Sequence, residues 1–519
     1  MKPFKNVRQN RPPRSAFNLS YTKLATADLG YLYPIMCDEV VPGDVWKIGN
    51  QMVIRFNPMV APILHEINAY VHYFFVPYRL LWGPDTEIEE EGSWEEFITG
   101  GIDGEDDSVL PRWIPANPAT ECAIGSLWDW LGFEPGKTNY VGAYPLDFPR
   151  RAYSFIINEY YIDENVDTPR SLIATTIGQR RWEKDYFTSA LPWQQRGVAP
   201  ALPVTITGTT NAEFLGVFNN SSAPSPQNIQ VRGDTIDGDI YAGNTNGANN
   251  LHYFLNNNEV DFADAAITTF DIADLRLAFQ IQKWLERNAR SGARYTEFLK
   301  AHFGVSPRDD RLQRPEYIGG SKSPIIVSEV LQTSESNTTA QGNLAGHGIS
   351  VSDSYCGTYK ASEYGLIMGL LSVMPKPMYQ NGIDRQWLRE TKYDFFFPEF
   401  VNLSEQAILN REIFVTSGDE ATNEGIFGYQ GRYDEMRVKR NQVVGLMRTD
   451  FDHWHLARQF VSVPALNNQF LTSVGTTGPI RKDFLAAPSE PAMFVHFANI
   501  IKAIRPLPVV AEPGLIDHN

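Results

Sequence analysis

Cysteine is nearly missing from this chain: three residues in 519, Cys37, Cys122 and Cys356, far apart and odd in number. That excludes a disulfide-built scaffold and offers no metal-type spacing, so buried free thiols are expected. Long apolar runs are missing too. No stretch approaches the roughly 20 residues of a membrane-spanning helix, and the first residues lack the apolar core of a signal peptide, so export through one is not expected. Catalytic signatures are equally absent, with no P-loop, dinucleotide fingerprint or nucleophile elbow. His65-Glu66 opens like a zinc-protease helix, yet Ala69 stands where the second histidine belongs. Asp452, His453 and His455 form the one tight metal-like cluster; on alternate residues of a strand beside Phe451 and Trp454, they read as structural.

Positive charge is lacking in one place above all. Between Asp85 and Asp107 lie eleven acids and no Lys or Arg, and without them the net charge falls from −16 to −5. The acidity is therefore local and does not exclude an anionic partner elsewhere. The run lacks EF-hand spacing and reads as a solvated acidic loop, with room for a structural divalent cation but no cofactor otherwise implied. Lys2, Lys5, Arg8, Arg11 and Arg14 precede the first acid, Asp28, among prolines that forbid a packed helix. This is a basic arm, suited to phosphates. Arg432, Arg437, Lys439, Arg440 and Arg448 surround Tyr429 and Tyr433. Such a patch suits phosphates and bases, and it suits a solvated β surface or a salt-bridged subunit contact equally well.

What is present is a β chain with long excursions. Hydrophobic residues make up 43% of the sequence, with 39 Gly and 34 Pro, a turn-rich composition. From Ile63 to Trp82 the odd positions Ile63, Ile67, Ala69, Val71, Tyr73 and Phe75 are apolar, which predicts a long strand with one buried face between Pro62 and Pro77. Further strands are expected at Phe17–Thr22, Tyr31–Met36, Gln51–Phe56, Ile325–Leu331, Glu363–Met374 and Met493–Arg505, with a turn at Pro42-Gly43. Residues 83–149 lack periodicity and read as loops lying across a sheet. A helix capped by Asp271 should bury two faces, Leu275/Ala278/Phe279/Leu285 and Leu277/Ile281/Trp284. A second helix, from about Arg294, should end at Gly304. Residues 204–262 are rich in Asn, Gly, Thr and Ser, with Arg232 the only Lys or Arg. Their aromatic and aliphatic residues favour an ordered excursion of short strands over a floppy linker.

Several segments carry a family resemblance: NRPPRSAFNLSY at 10–21, VVPGDVW at 40–46, YFFVPYRLLW at 73–82, ARYTEFLKAHFGV at 293–305, RLQRPEYIGG at 311–320, EVLQTS at 329–334, FGYQGRYDEMRVKRNQVVG at 427–445 and WHLARQF at 454–460. The chain resembles the major capsid proteins of microviruses, small single-stranded DNA phages, and is closest to the gokushovirus branch. The resemblance implies a mainly β, eight-stranded viral jelly-roll sandwich with loop and helical insertions and no enzyme activity. It implies many copies in a T=1-like icosahedral shell, assembled in the bacterial cytoplasm around circular single-stranded DNA. Expected partners are other copies, that DNA, a small internal DNA-binding protein, a pilot protein, a scaffolding protein and a host surface receptor. The expected division is an arm at 1–18, a core at 19–84 and 320–519, and insertions at 85–319 that include a surface protrusion at 204–262 and helices at 271–304. Lys2, Lys5, Arg8, Arg11 and Arg14 are then candidates for DNA contact. Phe214, Phe218, Tyr253 and Phe254 are candidates for packing or attachment in the protrusion. A jelly-roll glycoside hydrolase, with carboxylates among Glu87 to Glu96 beside Trp94, or a carbohydrate-binding module, is the alternative.

Overall fold

The computed structural model describes residues 13–83, 92–99, 109–137, 144–200, 206–207, 230–233, 240–243, 250–253, 266–267, 272–291, 294–306, 308–331, 344–474, 484 and 490–510. The chain divides into two compact units, one of residues 1–196 with 286–519 and one of residues 197–285.

The first unit opens with strands β1 (Ser15–Asn18), β2 (Tyr21–Ala27), β3 (Tyr31–Val40), β4 (Val45–Phe56), β5 (Ile67–Pro77) and the short β6 (Gly178–Gln179). In the second unit β7 (Ile206–Thr207) pairs with β11 (Ala266–Ile267), while β8 (Gln230–Gly233), β9 (Ile240–Gly243) and β10 (Asn250–Tyr253) form a three-stranded sheet. The first unit resumes with β12 (Glu316–Leu331), β13 (Leu344–Lys360), β14 (Gly365–Pro375), the hairpin of β15 (Glu405–Leu409) and β16 (Ile426–Gly431), and finally β17 (Met493–Arg505).

Ten of these strands make one antiparallel sheet in the order β1-β17-β4-β13-β12-β5-β14-β3-β6, with β2 also on β17. Because β1 and β2 occupy successive stretches of β17, they act as one edge strand interrupted at Leu19-Ser20. The sheet folds over at β12 and β13. These pair with each other only from Ile326 to Leu331 and from Leu344 to Ile349; beyond that β12 joins β5 and β13 joins β4. Two four-stranded halves result, β1/β2–β17–β4–β13 and β12–β5–β14–β3, and their inner faces share one core. Trp46, Ile48, Ile54, Val495 and Phe497 come from one half, and Tyr33, Ile35, Val71, Tyr73, Phe75 and Leu371 from the other. Strands distant in sequence thus become neighbours, as in a jelly-roll sandwich.

The organising strand differs from its expected form. It begins at Ile67 rather than Ile63, and both its faces are buried. The odd positions fill the core between the halves. Phe74 and Val76, on the other face, pack against Phe148, Ala152, Tyr153, Ile156 and Ile157 of a helix, Phe148–Tyr160, that the sequence reading did not anticipate. This helix starts at a proline, tolerated in the first turn, and its apolar residues recur at spacings of four. β14 is buried throughout for the same reason. His72 is half-buried on β5, 2.7 Å from the Tyr161 hydroxyl; burial, with Arg180 nearby, pushes it down to about 4.

Other expectations meet mixed outcomes. β17 matches its range, and β4 starts six residues before the expected Gln51. β13 was not expected, because its inward positions include Ser350, Ser352 and Ser354 while Ile349, Val351 and Tyr355 face outward, so its apolar residues do not mark the buried face. Ser15–Asn18, read as part of the arm, form β1, and β12 starts at Glu316, inside the range read as insertion. The helix read from Asp271 spans Ile272–Ser291, but Phe279 of the first face is 67% exposed and Leu277, Ile281 and Trp284 of the second are 58%, 40% and 46% exposed, so neither face is buried as expected within one chain. The next helix, Tyr295–Phe303, closes at Gly304 with φ +70°, a left-handed conformation that favours glycine. All three cysteines are free; Cys122 is buried and the other two partly so. Burial pushes Cys37 up to about 12 and Cys356 up to about 11, so neither is a thiolate at neutral pH.

Candidate nucleic-acid interface

The open face of the β1/β2–β17–β4–β13 half gathers cations. Along β4 and β17 burial alternates residue by residue, because inward side chains fill the core and the rest turn to solvent. Lys47 and Arg55 on β4, Lys360 on β13 and Lys502 on β17 all point outward and are exposed. Lys502 stands directly opposite Lys47 in the ladder. Lys360 stands opposite Val45, one step along the same face. Directly opposed residues have Cβ atoms about 4.5–5.5 Å apart, and like charges so placed repel. Among the described residues of these strands Asp353 is the one outward acid, and none of the four cations makes an ion pair. Tyr355 and Phe494 are exposed on the same face, 68% and 49% respectively. Arg14, also exposed, immediately precedes β1 at its edge. On a chain of net charge −16, this is a positively charged face with rings to stack on, suited to phosphates and unpaired bases.

The sequence reading missed these four lysines and arginines. The signal was the alternation itself, which puts Lys502 and Ile504 on the face opposite Ile501 and Ala503; only the buried set was followed. Of the residues singled out for DNA, Arg14 is placed as above, and Lys2, Lys5, Arg8 and Arg11 lie outside the described residues. Tyr253 ends β10, while Phe214, Phe218 and Phe254 also lie outside them.

The other basic patch is engaged with its own chain. Arg432 donates to the Tyr393 carbonyl at 2.8 Å and lies 4.8 Å from the Tyr433 ring centre. Arg437 pairs with Asp434, and Lys439 lies 3.7 Å from Asp384. Arg440 donates to the carbonyls of Asn381, Gly382 and Glu412, and Arg448 donates to that of Val443. These contacts favour a structural role over phosphate binding.

The metal-like cluster is likewise structural. Asp452–Trp454 form a 3₁₀ turn, not the expected strand. The buried His455 accepts the Ala457 amide at Nδ1 (3.1 Å), and its Nε2 lies 2.8 Å from the Met447 carbonyl, so no ring lone pair is left for a metal. No group of three or more His, Cys, Asp or Glu among the described residues is placed to hold a metal ion. Of the carboxylates beside Trp94, Glu96 accepts from the Ser93 hydroxyl, which in turn accepts the Glu96 amide, closing the start of the helix Trp94–Thr99.

Residues 5–515 match the capsid protein (F protein) family. The chain belongs to that family. It is 33% identical to capsid protein VP1 of Chlamydia phage 1, over 97% of this chain and 96% of that protein. It is also 33% identical to VP1 of Bdellovibrio phage phiMH2K, over 96% and 95%, and 30% identical to VP1 of Spiroplasma virus 4, over 99% and 97%. An F-family capsid protein is a structural component of a virus particle and not an enzyme, so Glu96 needs no catalytic role. Its outward faces are surfaces available to other copies and to what the shell encloses.

Proposed function

We propose that this chain is the major capsid protein of a small, gokushovirus-like phage, closing into a T=1-like icosahedral shell around circular single-stranded DNA. The observation that carries the reading is the cluster of Lys47, Lys360 and Lys502 on one sheet face, with Lys47 directly opposite Lys502, Lys360 one step along, and no acid among these strand positions. Repulsion of this kind is relieved by an anionic partner, and a chain that must contain a genome has one in phosphate. The face that bears the cluster, with Arg14 at its edge, turns toward the DNA. Assembly takes place in the host cytoplasm, with the small DNA-binding, pilot and scaffolding proteins that the family resemblance implies. Residues 204–262, polar and nearly free of Lys and Arg, are poorly suited to phosphate and contribute instead to host attachment.

Electron microscopy and sedimentation of particles from cells producing the chain with its virion partners test the proposal. Closed shells of one size are expected, and their complete absence counts against it. Replacing 204–262 by a short Gly-Ser linker should leave shells and packaged DNA nearly intact while adsorption to cells falls sharply.

A further inference from the structure

Trp387, Tyr393, Phe395, Phe396 and Phe397 lie within eleven residues of one another and are 75%, 56%, 52%, 50% and 42% exposed. At about 200 Å² per side chain, the five rings leave roughly 550 Å² in solvent. With the exposed Val401 and Leu403, this approaches the ~800 Å² that each partner contributes to a standard-sized interface, and it comes from one seventeen-residue segment.

The segment is held in place. Three 3₁₀ turns run through it, Arg385–Trp387, Lys392–Asp394 and Pro398–Phe400. Asp394 accepts from the Thr391 amide and hydroxyl at 2.8 and 2.9 Å. The Tyr433 hydroxyl donates to the Phe395 carbonyl at 2.9 Å, and Arg432 donates to that of Tyr393. Backbone tied at so many points loses little freedom on binding, so the exposed rings bind without a large ordering cost. Nucleic acid is a poor occupant, because Arg432, Arg437 and Lys439 are already engaged with carbonyls and carboxylates of their own chain.

We propose that Trp387–Leu403 is a subunit-to-subunit contact, buried against a second copy of this chain. The inference rests on the shell reading, which supplies the partner: a capsid subunit is surrounded by its own copies, and an apolar area of this size needs an apolar protein surface opposite it. Since the copies close around symmetry axes, the contact repeats at every equivalent position.

Oxidative footprinting of wild-type particles and of subunits dissociated from them tests this without a variant. Residues 387–403 should react at least fivefold more slowly in the particle. Lys392, exposed at the patch, should cross-link to peptides of this same chain only when assembled. Equal reactivity in the two states, or cross-links solely to another virion protein, overturns the proposal. A W387Q/F396S variant should fold with a thermal midpoint close to wild type yet assemble at least tenfold less, whereas V461S, at a valine 94% exposed elsewhere, should assemble normally. Normal shells from W387Q/F396S sink the contact alone. No shells from wild type or V461S sink the shell reading and the contact with it.

Discussion

Asp147 is 1% exposed and accepts from Arg150 at 2.6 and 2.7 Å and from Arg151 at 3.0 Å. One carboxylate therefore pairs with two nearly buried guanidinium groups at the start of the helix that covers β5. Asp147→Ala leaves the nearly buried Arg150 guanidinium without its carboxylate and should cost about 3–5 kcal/mol, read as a lower urea midpoint of the dissociated subunit. A loss below 1 kcal/mol would mean that water reaches the arginines. Asp38 presents the opposite case. Burial holds its carboxyl above the ordinary 3.8, while Tyr21, donating at 3.1 Å, Lys23 and Arg505 pull it down. A raised carboxyl makes the folded state bind protons more tightly, so its contribution to stability is present below pH 3.8 and is lost as pH rises through the folded value. Asp38→Asn keeps an acceptor for Tyr21 and removes that loss. The variant should be more stable than wild type at pH 7, by a margin that shrinks toward pH 4. A variant less stable at pH 7 would show that the charge is needed by Lys23. Neither arrangement was legible in the sequence, since nothing in the spacing of Asp147 or Asp38 reveals burial.

At the scale of elements, legibility followed periodicity. β17 was readable because Met493, Val495, Phe497, Ile501 and Ala503 alternate with exposed residues, and the helix Tyr295–Phe303 because Gly304 stands where a helix can end in left-handed backbone. The helix Phe148–Tyr160 was not, because Pro149 and the prolines before it mask a periodicity that begins only at Phe148. Its absence from the reading also explains the error over β5: a strand with one covering layer alternates, and a strand with two does not. Tyr153 joins these layers. Its hydroxyl donates to the Leu32 carbonyl of β3 at 2.6 Å and accepts the Gly178 amide of β6 at 2.7 Å. Tyr153→Phe strands both backbone groups away from water. It should cost about 1–3 kcal/mol in chemical denaturation and speed hydrogen exchange at Gly178. Unchanged exchange there would place the tie between helix and sheet in apolar packing alone.

For the whole molecule, the distributed motifs made the capsid family legible before any geometry, whereas the positive sheet face needed the fold, because Lys47, Lys360 and Lys502 are hundreds of residues apart until β4 is set between β13 and β17. On the proposed reading, the arm and the face should make separable contributions to DNA binding. Each phosphate neutralised on a single strand adds about −0.7 to the slope of log K against log salt, so the five basic residues of the arm should account for roughly −3.5 and the three lysines for roughly −2. Dissociated subunits binding a single-stranded oligonucleotide of mixed sequence should therefore lose about 3.5 from the slope when Lys2, Lys5, Arg8, Arg11 and Arg14 become Gln. They should lose about 2 when Lys47, Lys360 and Lys502 do. The two losses should add, because they come from different phosphates, and particles of either variant should package less DNA. A slope changed only by the arm variant would make the sheet face a surface for another virion protein with anionic character. A slope changed by neither would remove both from the genome side of the shell.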